Sequence, residues 1–304
     1  MYRTLLVPLD GSDFSARALI VAVDLARRTG ATVHLALVND PSSYIPFVPG
    51  EVAIPVYNAD IVRERRDADQ AALDRHVAEL NTNGVRAVGV LLEGTVIESL
   101  LEYGQQVASE LTIMTTHGRG GFARLRLGSV TTAYLSRATT PVLLVRGGGS
   151  DAPPTLPTGM LLCALDGSPF GERILAHASV FAAACEMTME LFSVNTPHAV
   201  SLAPFGTEAL LADPVAIEEE ERFRASYLTR LLEGCPSGSI SHEVTDMAVG
   251  QAILDEAARI DAGAIALVTH GRSGISRFVL GSVADELIRH AALPMLVYRP
   301  DDPK

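Results

Sequence analysis

The chain has 304 residues, 48% of them hydrophobic, and 24 Lys and Arg against 36 Asp and Glu leave a formal net charge of −12. That length holds two domains of about 150 residues, each able to bury a core. The acidic balance excludes non-specific binding to nucleic acid or to an anionic membrane, which needs cationic side chains to displace counterions.

Taken in order, Thr4 to Leu9 is apolar and β-branched, ends at Asp10-Gly11-Ser12, and is followed by Phe14, Ala18, Val21 and Leu25 at helical spacing. A buried strand, a turn and an amphipathic helix are predicted, with Gly30 closing the helix. Thr32 to Val38 predicts a second strand, and Pro41, Pro46, Pro49 and Pro55 a loop without regular structure. A charged helix over 59–80, a strand at Val85 to Leu92, a helix after Gly94, a strand at Leu111 to Met114, a helix from Val130 and a last strand at Pro141 to Val145 follow. Strands alternating with helices predict a parallel sheet covered on both faces. Residues 148–158, rich in Gly, Pro and Ser, read as a linker between domains 1–147 and 159–304.

The same order then returns. Asp10 and Asp166, Val38 and Val194, and Gly94 and Gly250 are each 156 residues apart, while His117 and His270, Gly128 and Gly281, and Pro141 and Pro294 are each 153 apart. A single three-residue deletion after Gly250 accounts for this spacing. The best-kept stretch is T-H-G-R-G-G-F-A-R-L-R-L-G-S-V at Thr116 to Val130, which recurs as T-H-G-R-S-G-I-S-R-F-V-L-G-S-V at Thr269 to Val283. In each copy it runs from a strand through a Gly-rich loop into a helix, which is how backbone N–H groups and a helix N-terminus are brought to an anion.

Cysteine and lysine usage narrow the chemistry. The three cysteines, Cys163, Cys185 and Cys235, form no C-x-x-C pair, which predicts buried thiols in a reducing compartment and neither a disulfide framework nor a zinc site. The sole lysine is Lys304, so no Walker A, kinase or Schiff-base lysine serves a folded domain, and phosphate would be held by backbone, hydroxyl and Arg. Neither a basic leader nor an apolar span of 18 residues is found in the sequence, and a cytoplasmic protein is expected.

In a parallel α/β sheet, ligands bind beyond the carboxyl ends of the strands at the point where strand order reverses. Asp10 and Asp166, each ending a first strand, would face one crevice with the Gly loops if the first and fourth strands are neighbours. There a carboxylate accepts from an adenine or ribose; the alternative is an Asp-Gly turn that caps the next helix. His117 and His270 lack a nucleophile or carboxylate partner at fixed spacing and read as turn or ligand-contact residues. Arg119 and Arg272 are phosphate candidates, with a solvated Arg as the alternative. Ser129 and Ser282 are expected to be N-caps. No catalytic constellation and no metal triad is found.

These motifs resemble the universal stress protein family, of which the chain looks like a tandem member with both domains covered. The family signature G-x2-G-x9-G-[ST] is matched by Gly118 with Gly128-Ser129 and by Gly271 with Gly281-Ser282; its leading glycine is Thr115 in one copy and Val268 in the other. The resemblance implies an α/β fold of two open five-stranded parallel sheets, order 3-2-1-4-5. It also implies contact with ATP, or with AMP or ADP, alone or together with Mg, at Pro8, Leu9, Asp10, Val38, Met114, Thr115, His117, Gly118, Arg119, Gly128, Ser129 and Val130. The matching set in the second domain is Ala164, Leu165, Asp166, Val194, Val268, His270, Gly271, Arg272, Gly281, Ser282 and Val283. The expected function is a stress-response module regulated by an adenine nucleotide that is hydrolysed slowly at most. A nucleotide-free interaction scaffold and a weak ATPase are the alternatives. The apolar last strands imply that the two domains pair within the chain and that the product forms a homodimer. The first loop carries Arg119, Arg124 and Arg126 against Arg272 and Arg277 in the second, so the first site is expected to hold ATP more tightly.

Overall fold

The apolar run Thr-Leu-Leu-Val-Pro-Leu forms β1 (Thr4–Leu9) and the amphipathic segment behind it forms α1 (Asp13–Thr29), closed by Gly30 at φ 73°. This is a computed structural model, describing residues 1–40, 59–116, 127–146, 154–195, 214–235, 238–244, 248–269 and 280–300. The chain divides into two compact units, Met1–Leu156 and Pro157–Lys304.

The first unit continues with β2 (Thr32–Asn39), α2 (Ala59–Thr82), β3 (Ala87–Glu93), α3 (Val96–Gln106), β4 (Leu111–Thr115), α4 (Ser129–Leu135) and β5 (Val142–Val145). Its strands are parallel in the order β3-β2-β1-β4-β5. The chain steps outward twice, from β1 to β2 to β3, then returns to β4 and leaves the other way. Right-handed crossovers therefore put α1 and α2 on one face and α3 and α4 on the other. Strands covered on both faces must be apolar throughout, and Leu5, Leu6, Leu111, Ile113 and Leu143 are fully buried.

The second unit repeats this with β6 (Met160–Leu165), α5 (Ile174–Cys185), β7 (Thr188–Asn195), α6 (Pro214–Leu232), β8 (Gly238–Val244), α7 (Val249–Arg259), β9 (Ala262–Val268), α8 (Ser282–His290) and β10 (Met295–Tyr298). Its order is β8-β7-β6-β9-β10. Cys163 and Cys185 are buried as expected, whereas Cys235 is half-exposed.

The relation between the repeats differs from the single deletion that the sequence spacing suggests. Strand registers relate Val33 to Met189, 156 residues on, but Ala87 to Gly238, only 151 on. Helices α3 and α7 then begin 153 apart, at Val96 and Val249. Five residues are lost before β8 and two are regained before α7. Gly94, which turns the chain at φ 126°, is consequently not the counterpart of Gly250, which lies inside the first turn of α7.

A bulge marks the start of the β6–β9 pairing, where Met160 faces Ala262 but Leu161 faces Ala264. Gly263 is the extra residue, and a Cβ on it would stand 1.9 Å from the Thr158 carbonyl oxygen.

Candidate functional site

In each unit the order reverses between the first and fourth strands, so the carboxyl ends of β1 and β4, and of β6 and β9, lie side by side. The crevice that such a reversal opens is the usual ligand position of an open α/β sheet. Pro8, Leu9, Asp10 and Val38 are half-buried at the ends of β1 and β2, and Met114 and Thr115 are buried at the end of β4. Ala164, Asp166, Val194 and Val268 are likewise half-buried, and Leu165 is buried.

Asp10 organises the turn after β1. Its Oδ1 accepts the Ser12 N–H at 2.9 Å and the Ser12 hydroxyl at 2.5 Å. Ser12, in turn, is the N-cap of α1, accepting the Ser15 N–H at 3.2 Å. The capping role therefore falls to Ser12, and Asp10 supports it from behind. The second unit repeats the arrangement, with Asp166 Oδ1 accepting the Ser168 N–H at 3.0 Å and hydroxyl at 2.7 Å, and Ser168 Oγ accepting the Gly171 N–H at 3.0 Å. There Pro169 follows the serine where Asp13 stands in the first unit, and a 3-10 turn, Gly171–Arg173, precedes α5.

The other wall is the entry into α4 and α8. The Gly128 N–H donates to the Thr116 carbonyl at 2.8 Å, and the Gly281 N–H to the Thr269 carbonyl at 2.8 Å. Thr116 is itself fixed by donating to Val145 at 3.0 Å, and Thr269 by donating to Tyr298 at 2.9 Å. One hydrogen bond thus pins together the two ends of each Gly-rich loop. Gly128 and Gly281 are the N-caps, in extended backbone and without a side-chain cap, so Ser129 and Ser282 stand one position inside the helix and do not cap it.

The expected cradle shifts accordingly. The Gly128 and Gly281 amides are engaged, and the first helical bonds run from Thr132 to Gly128 at 2.9 Å and from Asp285 to Gly281 at 2.9 Å. The amides left beyond the helix carbonyls are those of Ser129, Val130 and Thr131, and of Ser282, Val283 and Ala284. Ser129, Val130 and Ser282 are exposed, while Val283 is half-buried. Helix α4 is held against β4 by the Thr131 hydroxyl donating to the Thr115 carbonyl at 3.0 Å and by Tyr134 Oη and Thr112 Oγ1 at 3.0 Å.

His117, Gly118, Arg119, His270, Gly271 and Arg272 lie outside the described residues; among those described, the strand ends and helix starts are brought together. Sequence reasoning missed Ser12, Ser168 and the carbonyls of Thr116 and Thr269. The signal was present: Asp-Gly-Ser ends the first strand in both copies, and a threonine opens both fifteen-residue repeats.

Two doubly wound parallel sheets, each with an Asp-Gly-Ser turn after its first strand and a pinned loop after its fourth, define an open α/β class. Residues 1–146 and 160–299 both match the sequence profile of the Universal stress protein family. The chain belongs to that family. A Universal stress protein of Mycolicibacterium smegmatis is 26% identical over 300 residues, 93% of this chain and 97% of that relative. One from Thermus aquaticus is 31% identical over 146 residues, 48% of this chain and all of its own length. The crystal structure of a universal stress protein from Archaeoglobus fulgidus superimposes with a TM-score of 0.69 at 17% identity, covering 98% of each chain; it supports the fold.

Proposed function

We propose that this protein binds an adenine nucleotide, ATP or its AMP or ADP relatives, in the crevice between β1 and β4 and more weakly in that between β6 and β9. Binding biases a conformational or assembly state of a stress-response module. The observation that carries the reading is the adjacency, in both units, of the Asp-bearing strand end and the strand feeding the signature loop. Asp10 would accept from base or ribose, and the amides of Ser129 and Val130 would meet the phosphates with Arg119 assisting. Turnover is slow at most, because the folded domains contain no lysine to work on a γ-phosphate. Magnesium would be held through the nucleotide's own phosphates, since no group of three His, Cys, Asp or Glu side chains converges among the described residues. Among those residues, also, no helix is long and apolar enough to cross a membrane, and we place the protein in the cytoplasm.

A nucleotide-free scaffold is favoured by Thr115 and Val268, whose side chains stand where the family signature has a bare glycine. Mass analysis of the small molecule released when the purified protein is denatured separates the two readings. ATP, AMP or ADP is expected near stoichiometry; release of nothing, with no uptake of added ATP, contradicts nucleotide binding and supports the scaffold.

The apolar sequences Val142 to Val145 and Met295 to Val297 further support pairing of the two units within one chain, and a homodimer of such chains, because apolar edge strands seek a partner. Small-angle scattering is expected to fit one rigid envelope. A curve that requires two independently moving domains would remove the pairing.

A further inference from the structure

We propose that Arg146 and Arg299, which follow the last strand of each unit, bind the phosphates of the nucleotide and supply the cationic contact that a lysine would otherwise make. The proposal rests on the nucleotide reading above and adds one residue to each of its two sites.

The backbone puts each arginine beside the point where a Gly-rich loop closes. Arg146 follows Val145, whose carbonyl accepts the Thr116 N–H at 3.0 Å, and the Thr116 carbonyl accepts the Gly128 N–H at 2.8 Å. Arg299 follows Tyr298, whose carbonyl accepts the Thr269 N–H at 2.9 Å, and the Thr269 carbonyl accepts the Gly281 N–H at 2.8 Å. In a parallel ladder continued past Tyr298, the next donor to the Thr269 carbonyl would be residue 300. That residue is Pro300, which has no N–H. The carbonyl is thereby open to Gly281, and the start of α8 is drawn in next to Arg299.

The side chains fall on the layer where those helices begin. The Tyr298 ring lies 4.2 Å from the His177 ring of α5, so Tyr298 faces the α5 layer. Side chains alternate along an extended chain, and a residue ahead of proline is held extended. Arg299 is therefore set on the opposite face, that of α7 and α8. The first unit has Val145 and Arg146 at the same register positions, because Val145 pairs with Thr115 as Tyr298 pairs with Val268. Both arginines are half-buried, and burial pushes the Arg146 guanidinium pKa down. A cation held partly out of water gains by meeting an anion. Among the described residues of the second unit, ion pairs join Arg259 to Glu190 and Glu256 and Arg289 to Asp285, and none uses Arg299.

The test is calorimetric titration of the full-length protein with ATP, paired with adenosine measured by competition against ATP. The double variant Arg146→Gln, Arg299→Gln is expected to bind ATP about tenfold more weakly, the loss of one charge-assisted contact per site. Adenosine, which carries no phosphate, is expected to keep its wild-type affinity. Arg146→Lys with Arg299→Lys retains the charge and is expected to recover most of the loss. Methionine, which keeps the buried stem, replaces glutamine if circular dichroism shows the first double variant to be unfolded. Unchanged ATP affinity in a folded Gln or Met double variant overturns the proposal and leaves the nucleotide reading standing. A parallel loss of ATP and adenosine marks a purely structural role and overturns it as well. A wild type that binds neither compound overturns the nucleotide reading itself and this proposal with it.

Discussion

Replacing Gly128 with valine is expected to lower the ATP affinity of the first unit by about tenfold or more, equivalent to about 1.4 kcal/mol, while the fold and the melting temperature stay unchanged. Gly128 sits at φ −60° and ψ 145°, a backbone conformation open to any residue. A valine there keeps the N–H that donates to the Thr116 carbonyl, so the pinned loop survives. What changes is the space in front of the Ser129 and Val130 amides, where two methyl groups would stand in the path of a phosphate. Arg119→Ala should cost less, about 1 kcal/mol for one charge-assisted contact that water partly replaces. If calorimetry shows the arginine change to be the more damaging, the phosphate is held by side-chain charge and not by the backbone.

The second large effect concerns stability. Gly263→Ala is expected to destabilise the second unit by about 3 kcal/mol, at the upper end of ordinary overpacking. The atom that the new methyl meets is the Thr158 carbonyl oxygen, 1.9 Å from the ideal Cβ position. That oxygen belongs to the backbone just ahead of β6, which cannot swing aside as a side chain would. Relief requires the pairing at Met160 and Leu161 to be re-registered, and a one-residue slip exchanges the side chains that β6 presents to its two covering layers. Urea unfolding followed by circular dichroism measures the effect. An unchanged midpoint would mean that the bulge relaxes freely.

How far the sequence could be read depended on the range of the interaction. Strand β1 and the αL cap at Gly30 were legible to the residue because both are local: an apolar run ending at Asp-Gly, and a glycine where a helix must stop. The parallel, doubly covered architecture was equally plain, since only buried strands tolerate runs such as Leu111 to Met114 without a polar face.

The Gly94 and Gly250 pairing misled because identity at equal spacing says nothing about compensating changes in between. The five-residue loss and two-residue gain around β8 are visible only through strand registers. Ser129 reads as a cap by residue type, but the Thr116 carbonyl draws the chain in one residue earlier and makes Gly128 the cap. Asp10 carries both readings, ligand acceptor and turn residue, because its bond to Ser12 is a turn contact that composition cannot distinguish from ligand duty.

The central claim is that backbone amides at the start of α4 receive the phosphates of an adenine nucleotide. Hydrogen exchange of the Ser129, Val130 and Thr131 amides, measured with and without saturating ATP, tests it most directly. Marked slowing of all three on ATP addition, together with slowing at the Asp10 turn, is the result expected. Exchange that is unchanged at these amides while ATP is demonstrably bound would contradict the account.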